Sequence, residues 1–365
     1  MQIKRIHLSN FRNFKEKSFV FSNKTSVIVG PNASGKTNVL ESLFLLSTGK
    51  SFRAKVEEEV IFYEEEIARA EGAVIEKEKG EKFGTNLEVI LTRGEITIGM
   101  NPRKVEKVAR KRLLINGVGK RLIDFAGKFR VTLFGPWDLG LVTEFPGKRR
   151  DFLDMVLSQT DREYRRTSLS YVKGLRQRNR LLLKIKEEGV SRSQLLFWDK
   201  LLIKNGDYIS GKRAEFIEFA NSQEGLNNQK FSLEYDKSAI SEARLEQYKY
   251  EEVAATATLV GPHRDDFIFR LEEKESKKAM DIARYGSRGE QRMVVLWLKL
   301  AELSFIKEKI GELPTLLLDD IFSELDHEHR KIVMEVTKKQ QTIITTADPH
   351  FVEGLDRMER IVLSA

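Results

Sequence analysis

The chain has 365 residues, 32% charged and 41% hydrophobic, the balance of a soluble globular protein with room for two or three domains. Lys and Arg number 63 against 55 Asp and Glu, and the formal net charge of +8 mildly favours a polyanionic partner such as nucleic acid. Cysteine is absent, which excludes disulfide scaffolds, thiolate zinc sites and cysteine nucleophiles, and no apolar run reaches the roughly eighteen residues of a membrane span.

The opening "MQIKRIHLSNFRNF" places apolar residues at Ile3, Ile6 and Leu8 and then Phe11 and Phe14, a strand-like pattern without the apolar core of an export signal. A cytoplasmic protein is therefore expected. "TSVIVG" reads as a short buried strand, and "KTNVLESLFLLSTG" as a helix through Val39, Leu40, Leu43, Phe44 and Leu46 that ends at Gly49. Between them Gly30, Gly35, Lys36 and Thr37 satisfy G-x-x-x-x-G-K-[ST]. In that pattern the loop Gly30, Pro31, Asn32, Ala33, Ser34, Gly35 wraps phosphates with backbone N–H groups. Lys36 reaches the β- and γ-oxygens, the Thr37 hydroxyl ligates Mg²⁺, and Asn38 follows in the same turn. A strand before and a helix after are the context this mechanism requires.

From about Phe52 to Leu133 the chain turns to short alternating stretches such as "NLEVILTRGEITIGM" and "RKRLLINGVGK", which predict an antiparallel layer of hairpins. From about Gly147 to Gln223 it is amphipathic helix, heavy in Arg and Lys, with one break near Gly189, and an antiparallel helical hairpin is expected. "FSLEYD" reads as a strand and "SEARLEQYKYEEVAATATL" as helix. A last lobe from near Val260 has a helix over 288–309, the apolar strand "TLLLDD", another helix and the strand "TIITTAD".

"TLLLDD" supplies the acids that a phosphate loop lacks: Asp319 for the Mg²⁺ shell and Asp320 beside the attacking water. Because these acids arrive so late, the nucleotide lobe is expected to be split, 1–140 with 256–365, around a helical insertion over 141–255. Ser287 and Gly289, in "YGSRGEQR", precede the long helix and form a second anion site or an ordinary helix cap. His263, in "GPHRDDF" with Asp265 and Asp266, has no ligands at metal spacing, so a structural or interface loop is expected. For the basic run Arg149–Arg180, DNA-backbone contact and a solvated, ion-paired face stand level. No base-reading motif is visible.

Taken in order, "LSNFRNF", "STGKSFR", "GKRRDFLD", "VGPHRDDF", "GSRGEQR", "LLLDDIFSELD" and "ITTAD" resemble the head of the SMC-like ATPases and, in detail, the RecF family. The resemblance implies an α/β fold, an ABC/SMC-type P-loop ATPase head with an antiparallel β layer and an inserted helical arm. It implies that two heads close face to face around two ATP molecules, with Ser287 of one protomer on the γ-phosphate held by Lys36 of the other. Asp326 in "SELD" would lie along that interface, and Arg12 and Asn32 near the nucleotide. The function implied is an ATP-driven homodimer that binds gapped DNA or single-strand/double-strand junctions. It helps RecO and RecR load RecA in recombinational repair, with slow hydrolysis as the reset. The alternative is a nucleotide-gated DNA clamp whose hydrolysis is vestigial, separable by the ATPase rate of Asp320→Asn. The chain departs from the wider cassette pattern in having Asp320 for Glu, Arg288 and Glu290 in the signature, Thr345, Thr346 and Ala347 where a histidine is usual, and no recognisable Q-loop glutamine.

Overall fold

The computed structural model describes residues 1–78, 81–99, 104–272, 279–323, 325, 327–352 and 358–364. The chain divides into two compact units, Met1–Trp137 with Ile306–Ala365, and Asp138–Phe305. No helix among the described residues is long and apolar enough to cross a membrane.

The first unit opens with the antiparallel strands β1 (Gln2–Phe11) and β2 (Phe14–Val20), then β3 (Thr25–Val29) and helix α1 (Lys36–Thr48). Strands β4 (Ile67–Glu78), β5 (Glu81–Thr92), β6 (Glu95–Ile98), β7 (Lys104–Lys107), β8 (Lys111–Ile115) and β9 (Val118–Lys120) follow. They lead to the short helix α2 (Leu122–Phe125) and to β10 (Val131–Phe134). One sheet has the order β2-β1-β4-β5-β8-β9. In β1 the buried residues are Ile3, Ile6, Leu8 and Phe11, and the odd spacing from Ile3 to Ile6 is absorbed by a register shift against β4 between Ile3 and Arg5. The stretch "NLEVILTRGEITIGM" does not fold back on itself: β5 pairs with β4 and β8, while β6 pairs with β7. Asn116 and Gly117 do make a tight hairpin, both at positive φ (50° and 76°), between β8 and β9.

The second unit holds α3 (Gly140–Thr143), α4 (Pro146–Thr160), and the antiparallel pair α5 (Arg162–Glu188) and α6 (Leu196–Asn221). After these come β11 (Phe231–Asp236), α7 (Glu242–Gln247), α8 (Lys249–Ala255), β12 (Asp266–Glu272), β13 (Ala279–Asp281), α9 (Ile282–Tyr285) and most of α10 (Arg288–Ile310). The boundary drawn from the sequence at 255/256 falls inside this unit. Strand β12 pairs with β11, and its leading acids reach back to the helices: Arg149 of α4 forks onto Asp266 at 2.6 and 2.9 Å, and Arg213 of α6 donates to Asp265 at 3.0 Å. The remaining elements, β14 (Thr315–Asp319), α11 (His327–Thr337), β15 (Thr342–Thr346) and β16 (Met358–Val362), return to the first unit. There they form a parallel sheet with the order β10-β14-β15-β3-β16. Helix α1 contacts strands of both sheets and is buried around most of its circumference, Glu41 included, so it is a core helix and not a one-sided amphipathic one.

His263 lies in the latch between β12 and the helices. Its Nε2–H donates to the Thr258 carbonyl at 2.9 Å and its Nδ1 accepts from the Tyr171 hydroxyl at 2.9 Å, which fixes a neutral tautomer. Among the described residues no group of three His, Cys, Asp or Glu is placed to hold a metal. Burial, with Arg264 and Arg150 nearby, pushes the His263 ring down from 6.5 to about 4. The unfolded chain therefore takes up a proton near pH 6.5 that the folded chain refuses until about pH 4. The neutral ring's contribution is complete above pH 6.5 and is lost as pH falls through this window, to a total of about 3 kcal/mol. In urea unfolding series, His263→Gln should lose less stability than the native chain between pH 6.5 and 4; parallel profiles would place the acid loss elsewhere.

Candidate nucleotide site

Parallel strands present the loops at their carboxyl ends to one edge of the sheet, and that edge gathers the chemistry. Strand β3 runs buried to Val29 and releases the loop Gly30–Gly35 into the first turn of α1. Pro31, Asn32 and Ala33 are exposed, whereas Ser34, Gly35 and Lys36 are buried. Two glycines are required by shape. A Cβ at Gly30 would sit 2.7 Å from the Leu363 carbonyl oxygen, and one at Gly35, where φ is +97°, would sit 2.6 Å from Phe14 and 2.7 Å from Asn13. The Lys36 ammonium donates to the carbonyls of Gly30 (2.7 Å) and Pro31 (2.8 Å), so the cation is held across the mouth of the loop.

Strand β14 ends at Asp319, one strand away from β3 across β15. Its carboxylate, 4% exposed, accepts from the Thr37 hydroxyl at 2.8 and 3.1 Å and from the Thr345 hydroxyl of β15. Asp320 takes the left-handed conformation (φ 48°), and its N–H donates to the Thr345 carbonyl at 3.0 Å and to the Thr345 hydroxyl at 3.2 Å. One threonine thus orients both acids. In the sequence Thr345 stands out only as one of the residues where a histidine is usual.

Arg12 sits beside Asn13, whose amide reaches the Ser34 carbonyl of the loop. At φ 55° on the β1–β2 tip, its guanidinium forks onto the buried Glu41 of α1 at 2.6 and 2.9 Å and donates to the Glu59 carbonyl at 2.6 Å. Glu41 also accepts from Ser51 at 2.5 Å. A lone acid in the apolar run "VLESLFLL" was the only trace of Glu41 in the sequence. Asn13 carries no motif signal in the sequence; its amide reaches the Ser34 carbonyl at 3.4 Å and accepts from Asn38 at 2.8 Å, and Asn38 accepts from Arg53 at 3.0 Å. The loop is therefore braced from outside by an amide chain.

Ser287 and Gly289 lie in the second unit, both exposed. The Ser287 hydroxyl accepts from the Glu290 N–H at 3.2 Å while the Glu290 carboxylate accepts from the Ser287 N–H at 2.7 Å, a reciprocal cap on α10. Gly289 stands within the first turn of that helix, not before it. Asp326 lies outside the described residues.

The loop fits a nucleoside polyphosphate. The Ser34 hydroxyl is buried without a hydrogen-bond partner, and the glycine positions leave room only for backbone. Lys36 with the loop N–H groups would hold the phosphates, and Thr37 with Asp319 would hold Mg²⁺, which keeps most of its shell as water and phosphate oxygen and so needs few protein ligands.

Comparison with known proteins agrees over the whole chain. Residues 2–365 match the family described as RecF/RecN/SMC N terminal domain. The chain is 34% identical to the DNA replication and repair protein RecF of Herpetosiphon aurantiacus, over 98% of this chain and 97% of that protein. It is 36% identical to the protein of the same name from Halothermothrix orenii, over 95% and 92%. A solved structure of the recombination mediator protein RecF-ATP in the RecFOR pathway superposes with a TM-score of 0.84 at 31% identity, covering 98% of this chain and 95% of that one. An Smc head domain from Pyrococcus furiosus, 15% identical with a TM-score of 0.50 over 98% and 92%, shares the fold alone.

Proposed function

The chain belongs to the RecF family of SMC-like, ATP-binding ATPases, and from that premise we propose that it is a cytoplasmic DNA-repair ATPase whose two heads close on ATP. The observation that carries the reading is the junction of Thr37 and Asp319, 282 residues apart in sequence and 2.8 Å apart in space, beneath a glycine loop with an unpartnered serine hydroxyl. In this reading Lys36 and the loop N–H groups of Gly30 and residues 32–38 bind the triphosphate, with Pro31 shaping the turn, Thr37 and Asp319 hold Mg²⁺, and Asp320 orients the attacking water. Bound Mg²⁺ neutralises phosphate charge. The Thr345 hydroxyl and carbonyl keep Asp319 and Asp320 in position for those tasks. Ser287 and Gly289 of a second protomer complete the site from outside.

Closure of the dimer would then create the DNA-binding form, and slow hydrolysis would release it. Gapped DNA or a single-strand/double-strand junction is the proposed substrate, with RecO, RecR and RecA as the proposed partners.

Solution mass by light scattering tests the closure. The native chain, 42.1 kDa, should double its mass with ATP and Mg²⁺ and not with ADP or without nucleotide. Ser287→Arg should stay monomeric under all three conditions. Ser287→Asp keeps a good helix cap yet sets a carboxylate where a phosphate would arrive, so it should also stay monomeric without loss of thermal stability. A Ser287→Asp chain that doubles normally would remove the role in trans.

A further inference from the structure

Helix α5 buries one face through Tyr164, Thr167, Tyr171, Gly174, Arg178 and Leu182. Lys173, Arg176, Arg180 and Lys184 are all exposed. At 3.6 residues per turn these four lie within about 80° of arc, on the side opposite the buried face. None of the four makes a hydrogen bond or ion pair among the described residues.

In the same unit Lys148, Arg166, Lys212 and Lys249 each salt-bridge a glutamate three or four positions away. Two prominent arginines of the basic run are also consumed internally. Arg149 is forked on Asp266, and Arg178, 1% exposed, is tied to Asp199 and Glu252 at 2.7 Å each. The remaining row has no such compensation. Its successive members stand one turn apart, where like charges destabilise a helix by about 0.2–0.5 kcal/mol per pair. A polyanion laid along the row would reverse the sign of that energy.

We propose that this face of α5 is a contact surface for the phosphate backbone of duplex nucleic acid. The proposal rests on the DNA-binding reading above and places its electrostatic contact on four named side chains. From residue 173 to 184 the helix advances about 16 Å. A duplex strand carries one phosphate per about 3.4 Å of axis, so the row matches about five phosphates of one strand. Flexible Lys and forked Arg ends on a smooth helix face read backbone charge and not base edges, so the contact is independent of sequence.

The test measures binding of a short mixed-sequence DNA duplex to the full chain, with ATP and Mg²⁺, across a salt series. The fourfold variant Lys173→Gln, Arg176→Gln, Arg180→Gln, Lys184→Gln is compared with a control of equal charge change, Lys148→Gln, Lys212→Gln, Lys249→Gln, Lys338→Gln. For each arm engaged, the α5 variant should reduce the slope of log K against log salt by about 3.6, from −0.9 per phosphate contact. The control should leave the slope unchanged, and ATP-dependent doubling of mass should survive in both.

A slope equal to native in the α5 variant, or an equal fall in the control, overturns the proposal while leaving the DNA reading intact. Loss of polyglutamate binding with unaltered DNA binding would reassign the face to an acidic protein and also overturn it. A native chain that doubles with ATP but binds only a gapped duplex overturns this proposal alone, and one that binds neither duplex nor gapped duplex removes the DNA reading with it.

Discussion

Lys36→Ala is expected to weaken ATP binding by about a hundredfold or more, measured by calorimetric titration in Mg²⁺. The Lys36 ammonium is buried, held by two carbonyls at 2.7 and 2.8 Å, and set at the mouth of a loop otherwise built from backbone and one serine hydroxyl. Removing it deletes a charge-assisted pair of contacts to phosphate, worth about 3 kcal/mol. Arginine should not rescue it. The site between the Gly30 and Pro31 carbonyls suits a compact ammonium, and a planar guanidinium spreads its donors too widely for that pair. Without nucleotide, the thermal midpoint of the variant should stay near native, since Pro31 is exposed and water can replace the lost donor there. Native-like ATP affinity in Lys36→Ala would mean that the loop is a turn and not a phosphate site.

Asp265→Ala should destabilise the second unit by about 3–5 kcal/mol, a loss read from denaturant midpoints. The Asp265 carboxylate is fully buried and accepts from four donors: Arg213 at 3.0 Å, the Tyr235 hydroxyl at 2.5 Å, Ser210 at 3.2 Å and the Ser238 N–H at 2.8 Å. Its removal takes one of two carboxylates from a buried guanidinium and leaves three neutral donors short of an acceptor. Arg213 keeps Asp154 at 2.8 Å and the Pro262 carbonyl at 2.6 Å, which limits the loss to the pair value. The neighbouring Asp266→Ala supplies the contrast. Among the described residues Asp266 holds only Arg149 among side chains and its own carboxylate is partly solvated, so a smaller loss, about 1 kcal/mol, is expected. Equal losses from the two substitutions would contradict the assignment of the latch to Asp265.

The features legible in the sequence were the local ones. A β-branched run, a glycine loop and an apolar helix are contiguous, so the strand, cradle and helix of residues 25–48 followed from spacing alone. The apolar strand ending in Asp319 and Asp320 was equally plain, as was the helical hairpin broken at Gly189. What stayed hidden depends on partners distant in the chain. The tie of β12 to helices α4 and α6 rests on Asp265 and Asp266 meeting Arg213 and Arg149, pairs 52 and 117 positions apart that leave no periodic signature. Arg12 could be placed near the nucleotide by resemblance, but its pairing with Glu41, 29 positions on in α1, leaves no mark in the sequence. The same holds for the basic run: composition marked it, but only burial and pairing separate the arginines that hold the unit together from the four cations that face outward.

The position of β3 has a consequence for synthesis on the ribosome. Its two neighbours, β15 and β16, lie more than 300 residues further along the chain, and Thr25 waits for Thr342 on one side and Met358 on the other. The second unit is continuous in the chain, and its residues have all been translated by Phe305. Nascent chains fold their continuous domains as these emerge, so the arm is finished while the phosphate loop still lacks a sheet to stand on. For most of translation an apolar strand near the front of the chain carries two open edges, the condition under which strands pair wrongly with other chains. Nucleotide competence thus waits until β15 and β16 have emerged, and nascent products cut short of them carry an arm without a working engine.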